Sequence, residues 1–325
     1  METSDEPIPR KLRLAPQESL SAAVIAAFAY GAGSLERERA ASIAGEPEPI
    51  HQLRVASRRL RAAAEMFSSA LHASQMSLLE RDLSWVAQIA GKVRECDVIA
   101  ATIRARAPKL EPRLAAMLPP LYSELEVSRR LALAQLAGAL DSRRYSALIA
   151  RLHKPRIRIA TARQPLGPAA GAMLARMTGA MVRAAAKLTG VSDAKTVHRL
   201  RVRVKRMRYA LEMLAAIGGK RSRKALARLE DLQDLLGVFN DTIVAIGWLI
   251  AYASAEGAPT EAVLAAGAMA ESLRRRERKL ARRCVKAWRK FDRAGIMKDA
   301  IAEIRRHGRA IPQAQSRELT SATET

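Results

Sequence analysis

The chain has 325 residues, with 56 lysines and arginines against 32 aspartates and glutamates, and so carries a formal net charge of +24. Hydrophobic residues make up 49% of it, which is enough for a core and excludes a disordered basic arm. Aromatics contribute only 4%, so the interior must be filled by Ala, Leu, Val and Ile, and a chain rich in Ala, Leu and Arg favours helix.

The opening METSDEPIPR is acidic and proline-containing, with no cationic stretch leading into an apolar run, so no secretory signal is expected and residues 1–16 read as an N-terminal extension. Pro16-Gln17-Glu18 then opens a helix through Ala22, Ile25, Ala26 and Ala29. Pro49 opens a second, Pro120 a later one and Pro259-Thr260-Glu261 another, each with proline or a cap residue where helix starts tolerate it. Between His153 and Pro168 three prolines and a glycine break the helical pattern, which marks a linker over 154–168. The longest apolar run, Thr242 to Ser254, is shorter than the ~20 residues a bilayer span needs. From 311 to 325 the chain is polar and is expected to be disordered. No segment alternates apolar and polar residues over a strand length, so the expected fold is all-α. Cys96 and Cys284 lie far apart and form no CxxC pair, which argues against a zinc site or a disulfide framework and fits a reducing cytoplasm.

The linker divides the chain into stretches of similar length, 17–153 and 169–310, and these contain a repeat. Ile50-His51-Gln52-Leu53-Arg54-Val55 returns as Val197-His198-Arg199-Leu200-Arg201-Val202. At the same offset Arg58 meets Lys205, Arg59 meets Arg206, Arg61 meets Arg208, Glu65 meets Glu212 and Met66 meets Met213. A weaker pairing, Gly91-Lys92-Val93-Arg94-Glu95 with Gly237-Val238-Phe239-Asn240-Asp241, follows at an offset that differs by one residue. Duplication of a helical half accounts for both. Each half has room for about four helices, so two antiparallel four-helix-bundle halves related by a pseudo-twofold are expected.

On a helix of about 100° per residue, His51, Arg54, Arg58 and Arg61 form one stripe, and Leu53, Leu60 and Phe67 lie opposite. His198, Arg201, Lys205 and Arg208 repeat the stripe against Leu200, Met207 and Leu214. One carboxylate follows each, and an i,i+4 pair from Arg61 to Glu65 or from Arg208 to Glu212 would fix the last arginine. Like charges along about 15 Å repel unless an anion lies along them, and a linear polyanion would relieve the repulsion. Arginine offers bidentate donors to phosphate oxygens, and histidine donates from either ring nitrogen. A solvated face is the alternative for one such run, but it gives no reason for both copies to keep histidine and the cationic positions.

HQLRVASRRLRAAAEMF and VHRLRVRVKRMRYALEML resemble the paired signature helices of the CHAD domain, the conserved-histidine α-helical domain. Val93-Arg94-Glu95-Cys96-Asp97-Val98, Leu232-Gln233-Asp234-Leu235-Leu236-Gly237 with Asn240-Asp241, and Asp141-Ser142-Arg143-Arg144-Tyr145 add to the likeness, which spans roughly Gln17 to Gly308. The resemblance implies two four-helix bundles with a basic groove between them, binding of inorganic polyphosphate, and localisation to polyphosphate granules. It places His51, Arg54, Arg58 and Arg61 on one side of that groove and His198, Arg201, Lys205 and Arg208 on the other. Arg94 is a further contact, although its counterpart Asn240 has lost the charge. Some family members carry a triphosphatase domain with an ExExK motif. Glu36-x-Glu38 and Glu46-x-Glu48 lack the lysine, so a stand-alone binding protein without hydrolase activity is expected.

Non-specific binding of RNA or DNA stays open, since nucleic acids are also linear phosphate chains. Specific readout is not indicated, because no zinc-finger spacing or RNP-type aromatic motif is present and aromatics do not interleave with the stripes. Neither His51 nor His198 has a His or Cys at i+3 or i+4, and the surrounding charge opposes a cation, so no metal or other cofactor is expected. The basic run from Arg274 to Lys290 encircles its helix. It reads either as an extension of the groove or as a solvated or membrane-facing surface.

Overall fold

The computed structural model describes Leu12, residues 14–188 and residues 194–309. Most of the N-terminal extension and the tail from 311, with its expected disorder, lie outside the described residues. The first half runs through α1 (Leu20–Ile43), α2 (Pro47–Met66), α3 (Ala73–Arg106), the short α4 (Pro112–Ala116), α5 (Pro119–Leu140) and α6 (Arg143–His153). After the four-residue α7 (Ile159–Ala162) come α8 (Leu166–Ala185), α9 (Ala194–Met213), α10 (Lys220–Ala253), α11 (Thr260–Arg293) and α12 (Ile296–Arg309). No strand occurs among the described residues, and the fold is all-α.

Local chemistry fixes the starts and stops. Ser19 accepts the amide of Ala22 at 3.2 Å as the N-cap of α1, and Ser142 does the same for Tyr145 at the head of α6. Pro47 occupies the first turn of α2, where its missing N–H is no loss. Between α1 and α2 the chain reverses through Gly45 at φ 87°, a left-handed conformation that favours glycine.

Each half builds its bundle on four principal helices, with a shorter fifth, α6 or α12, closing the end. The middle helices match in length, with α2 and α9 at 20 residues and α3 and α10 at 34. Their buried positions also keep register, since Leu79, Leu83, Val86, Ala90 and Val93 of α3 correspond to Ala225, Leu229, Leu232, Leu236 and Phe239 of α10. One hydrophobic core runs without interruption through both halves. A second, smaller core forms where the far ends of α3 and α10 meet the first turns of α5 and α11, with Ile99, Ile103, Leu121, Leu249 and Met269 inside it. At 34 residues, α3 and α10 are about 50 Å long and overhang the first core, and this second cluster covers the overhang. α10 has an apolar stretch long enough to cross a bilayer, yet its buried residues pack within these two cores.

The segment joining the halves is strapped to the first half. His72 donates to the Arg156 carbonyl at 3.2 Å and Arg158 donates to the Ala70 carbonyl at 2.8 Å. Leu20 and Leu166 likewise donate to the carbonyls of Gln164 and Glu18. Pro165 precedes α8 rather than interrupting a loop, so the helix begins at Leu166, before the third proline of the segment.

Where α8 and α12 cross, Gly167 and Gly308 meet backbone to backbone, and a Cβ on Gly167 would lie 2.5 Å from the Gly308 carbonyl oxygen. Gly167→Ala must therefore push the two helices apart and is expected to destabilise the protein by about 1–3 kcal/mol. By contrast Gly237→Ala, in mid-helix with nothing within 4 Å of the new methyl, should stabilise it by about 0.5–1 kcal/mol. Urea midpoints of the two variants measure the contrast.

Candidate functional site

The helices α2 and α9, which carry the repeated stripes, pack against each other where the halves meet. Their contact is reciprocal. Arg206 of α9 reaches Glu65 of α2 at 2.5 Å, and Arg59 of α2 reaches Glu212 of α9 at 3.5 Å. Arg59 and Arg206 occupy the same repeat position, as do Glu65 and Glu212, so this is the exchange an isologous contact produces. Arg203 adds a second bond to Glu65 at 2.6 Å, and Arg176 of α8 donates to the carbonyls of Glu65 and Met66, closing the C-terminal end of α2.

These ties correct one sequence expectation. Glu65 does not pair with Arg61, because it is occupied from across the interface. Arg61 instead reaches Glu80 on α3 at 2.5 Å, and Glu80 also accepts from Arg206 at 2.9 Å. Two guanidiniums hold the Glu80 carboxyl below its usual range, against the opposing effect of burial. In the second half the expected i,i+4 pair is present. Arg208 contacts Glu212, hydrogen-bonds Gln233 at 2.9 Å, and lies 4.5 Å from the centre of the Tyr209 ring. Arg61 and Arg208 therefore both have protein partners.

The middle of the stripes is different. Arg54 and Arg58 from α2 face Arg201 and Lys205 from α9, all four half-buried. None of the four forms an ion pair or a side-chain hydrogen bond among the described residues. The Nε atoms of Arg54 and Arg201, at equivalent repeat positions, are fully buried without a partner. Each cation feels others in the group. Burial, then Arg58, Arg201 and Arg94, lower the Arg54 pKa to about 9. Burial lowers Arg58 and Arg201 too, with further lowering from Arg61 and from Arg58 respectively. Burial, followed by the fields of Arg201, Arg58 and Arg54, brings Lys205 down to about 6. Asp241 on α10 is the one carboxylate whose field favours the charged form of all four.

The histidines stand at one end of this cluster. His51 is half-buried and its pKa lies below the ordinary 6.5, lowered chiefly by burial and then by Arg94, Arg54 and Arg58, with Glu48 opposing. His198 is exposed, and its Nδ1 lies 2.9 Å from the Asn240 side-chain oxygen. Thus Arg94 sits near His51 as a charge, whereas Asn240, at the corresponding place, orients His198. Arg94 is itself 3.3 Å from Asp97, which Arg129 holds at 2.8 Å. All nine residues singled out from the sequence therefore border one junction, and the four middle ones have no contacting carboxylate among the described residues. The sequence did not reveal Asp241 as a shared counter-charge or the Glu65 and Glu80 network, because both depend on contacts between separate helices.

The remaining histidines and the tryptophans lie outside this site. His72, His153 and His307 are exposed, and Trp288 is buried while Trp85 and Trp248 pack against the cores. A hollow of about 830 Å³ between α1, α2 and α9 is lined by Tyr30, Gln52 and Arg59 and contains none of the four middle cations. No cluster of three or more His, Cys, Asp or Glu suited to a metal occurs among the described residues.

The family model for the CHAD domain matches residues 26–250, and the chain belongs to the CHAD family. This family is associated in general with polyphosphate, and its domains are generally non-enzymatic binding domains. The chain is similar to the crystal structure of the CHAD domain from the plant Ricinus communis, with a TM-score of 0.63 and 25% identity over 93% of this chain and 96% of that one. It is also similar to PptA from Streptomyces chartreusis, with a TM-score of 0.64 and 21% identity over 84% of this chain and all of that one, a likeness of fold. No curated protein sequence matches it.

A half-buried cation that folding crowds against others destabilises the protein that carries it. Lys205→Met keeps the apolar stem and removes an amine that folding forces to give up its proton, so it should raise Tm by about 2–4 °C at pH 7, as for a gain on the order of 1 kcal/mol. The unfolded chain holds the Lys205 proton up to its ordinary pKa of 10.5, whereas the folded chain releases it near 6. Between those values the unfolded state binds more protons, and the burden of the lysine shrinks as pH rises. Melting curves at pH 7 and pH 9.5 should therefore show the advantage of the variant narrowing.

Proposed function

We propose that this protein binds inorganic polyphosphate along the junction of α2 and α9 and associates with polyphosphate granules. The observation that carries the reading is the set of half-buried basic groups, Arg54, Arg58, Arg201 and Lys205, which among the described residues has no side-chain ion pair and only Asp241 as a shared opposing charge. Such a cluster is destabilising until a ligand supplies several negative charges at close spacing. Phosphate oxygens do this, and the buried Nε–H groups of Arg54 and Arg201 offer donors to them. His51, His198 and Arg94 would extend contact at one end of the row, and Arg61 and Arg208, already fixed by carboxylates, would border the other.

The protein's role in this reading is recognition, with no bond made or broken. Affinity rises with chain length because adjacent phosphates engage adjacent cations in one event. Family membership supports polyphosphate over other polyanions. RNA and DNA are the competitors that test the choice.

Arg54→Ala with Arg201→Ala should weaken binding of long-chain polyphosphate and lower the slope of log affinity against log salt by about one to two, one for each lost phosphate contact. An unchanged affinity and slope would place the ligand elsewhere. In a companion titration at physiological salt, long-chain polyphosphate should compete well against a labelled chain. Single-stranded RNA, duplex DNA and tripolyphosphate should compete poorly, and equal competition by RNA would make the protein a general polyanion binder.

Binding should also take up protons. An anion beside Lys205 returns its pKa toward the ordinary value, so complex formation near pH 7.5 protonates it, and affinity falls as pH rises above about 6. Calorimetry in buffers of different ionisation enthalpy should show a proton uptake in the parent protein that falls by close to one proton in Lys205→Arg.

A further inference from the structure

The face of α10 turned away from the junction carries its own row of cations. α10 and α11 pack side by side, and the seam between them holds two hollows of about 520 and 490 Å³ that meet at Asp231. Eight lysines and arginines line the two hollows, against three aspartates. Lys220, Lys224 and Arg228 succeed one another a turn apart on α10, and Arg276, Lys279 and Arg283 stand along α11. One ion pair joins lining residues among the described ones, Arg228 to Asp231 at 3.3 Å, and both partners are exposed, so it neutralises little.

This seam is separate from the junction. At about 100° per residue, Asp231, Leu235 and Val238, which line the seam, project roughly opposite to Gln233 and Asn240, which contact Arg208 and His198 of the junction, and Asp241 lies on the flank between the two faces. Nor does the repeat carry it. In the register of the buried residues, Lys220, Lys224 and Arg228 fall on Ser74, Leu78 and Asp82 of α3, and Asp82 is buried among Arg81, Arg144 and Arg151. The basic run of α11 is thus sorted by packing. Leu280, Cys284, Trp288 and Phe291 turn inward, and Arg276, Lys279 and Arg283 border the seam.

We infer that the α10–α11 seam is a second polyphosphate groove and that each molecule holds two chains, or two distant stretches of one chain, on opposite sides of α10. This rests on the polyphosphate reading of the junction. The ligand is identified by the seam's chemistry. It is a net-positive trough running along α10 and α11 whose one aromatic lining residue, Phe291, is buried, so it suits an unadorned phosphate chain and offers no platform for stacking bases. A protein with two such grooves cross-links chains, and cross-linking is what gathers a soluble polymer into particles.

The test combines stoichiometry with light scattering, using the full chain and polyphosphate of defined length. One variant carries Lys220→Glu, Lys224→Glu and Arg228→Glu, all at exposed positions. A charge-matched control carries Arg113→Glu, Arg130→Glu and Arg143→Glu, exposed positions of the first half. With short chains, calorimetry should give two bound chains per parent or control molecule and one for the seam variant, which keeps the tighter site. With long chains, the parent and control should scatter strongly near charge equivalence and clear in excess polyphosphate, and the seam variant should scatter several-fold less. Equal stoichiometry and scattering in parent and seam variant would overturn the second groove, as would an equal loss in the control. Arg54→Ala with Arg201→Ala separates the two readings. If it leaves the tighter site intact, the junction reading fails. If it abolishes that site while the seam variant behaves as the parent does, only the second groove fails.

Discussion

Three arginines and a lysine on two helices that face each other, with no carboxylate in contact among the described residues, set the terms for the rest of this molecule. Arg54, Arg58 and Arg201 repel one another across the α2–α9 junction, burial strengthens the repulsion by removing the water that would screen it, and Lys205 among them is driven to give up its proton. Left to themselves, the two helices would separate. Contacts just beyond the cluster oppose that outcome. The exchanged pairs of Arg206 with Glu65 and Arg59 with Glu212 bind each helix to the other, and Arg203 and Arg176 add ties from the second half. A core shared by both halves then makes separation costly, because opening the junction would expose apolar surface on both sides.

The distribution of carboxylates along the stripes gives this arrangement its polarity. Towards the C-terminal ends of α2 and α9, Glu65, Glu80 and Glu212 bind Arg61, Arg203, Arg206 and Arg208, and that end is electrostatically satisfied. In the middle only the field of Asp241 acts on all four cations, and at the other end stand the histidines. A row that is fixed at one end and unsatisfied in the middle has its side chains positioned before a ligand arrives, and a ligand then meets less of the ordering cost. The repeat is imperfect where it matters chemically. Arg94 puts a positive charge near His51, whereas Asn240 gives His198 a hydrogen-bond partner, so the two copies of the motif are not equivalent.

Much of this was legible in the sequence because helical period and repeat register are local properties. The apolar positions of α2 and α9 gave the buried faces, and the offset between copies gave both stripes, including the pairing of Arg208 with Glu212 four residues on. The partner of Arg61 was not legible. Its i,i+4 neighbour Glu65 is the expected choice on an isolated helix, but two arginines from α9 compete for it and an acid on α3 is within reach. Periodicity along one helix cannot rank neighbours supplied by others. The same limit hid Asp241, which acts on the cluster only because α10 packs beside α9, and it left the basic run of α11 without a direction until the bundle chose which face to bury.

That last choice shows how charge and packing divide the work in this fold. Eleven lysines and arginines lie between Arg274 and Arg293 on one helix, a density that would destabilise an isolated helix through like-charge pairs at i,i+4. α11 tolerates it because Leu280, Cys284, Val285, Trp288 and Phe291 form a continuous buried stripe against the core, so the helix is held by apolar contact and its charge is carried outward. The junction uses the opposite arrangement, with charge turned inward and held there by ion pairs and core around it. A single helix, α10, separates the two. Gln233 and Asn240 on one of its faces contact Arg208 and His198, Asp231 on the other borders the outward cations, and Asp234 and Asp241 lie on the flank between them. In both places a few carboxylates temper an excess of positive charge without cancelling it, which leaves the field available to a ligand while keeping the helices together.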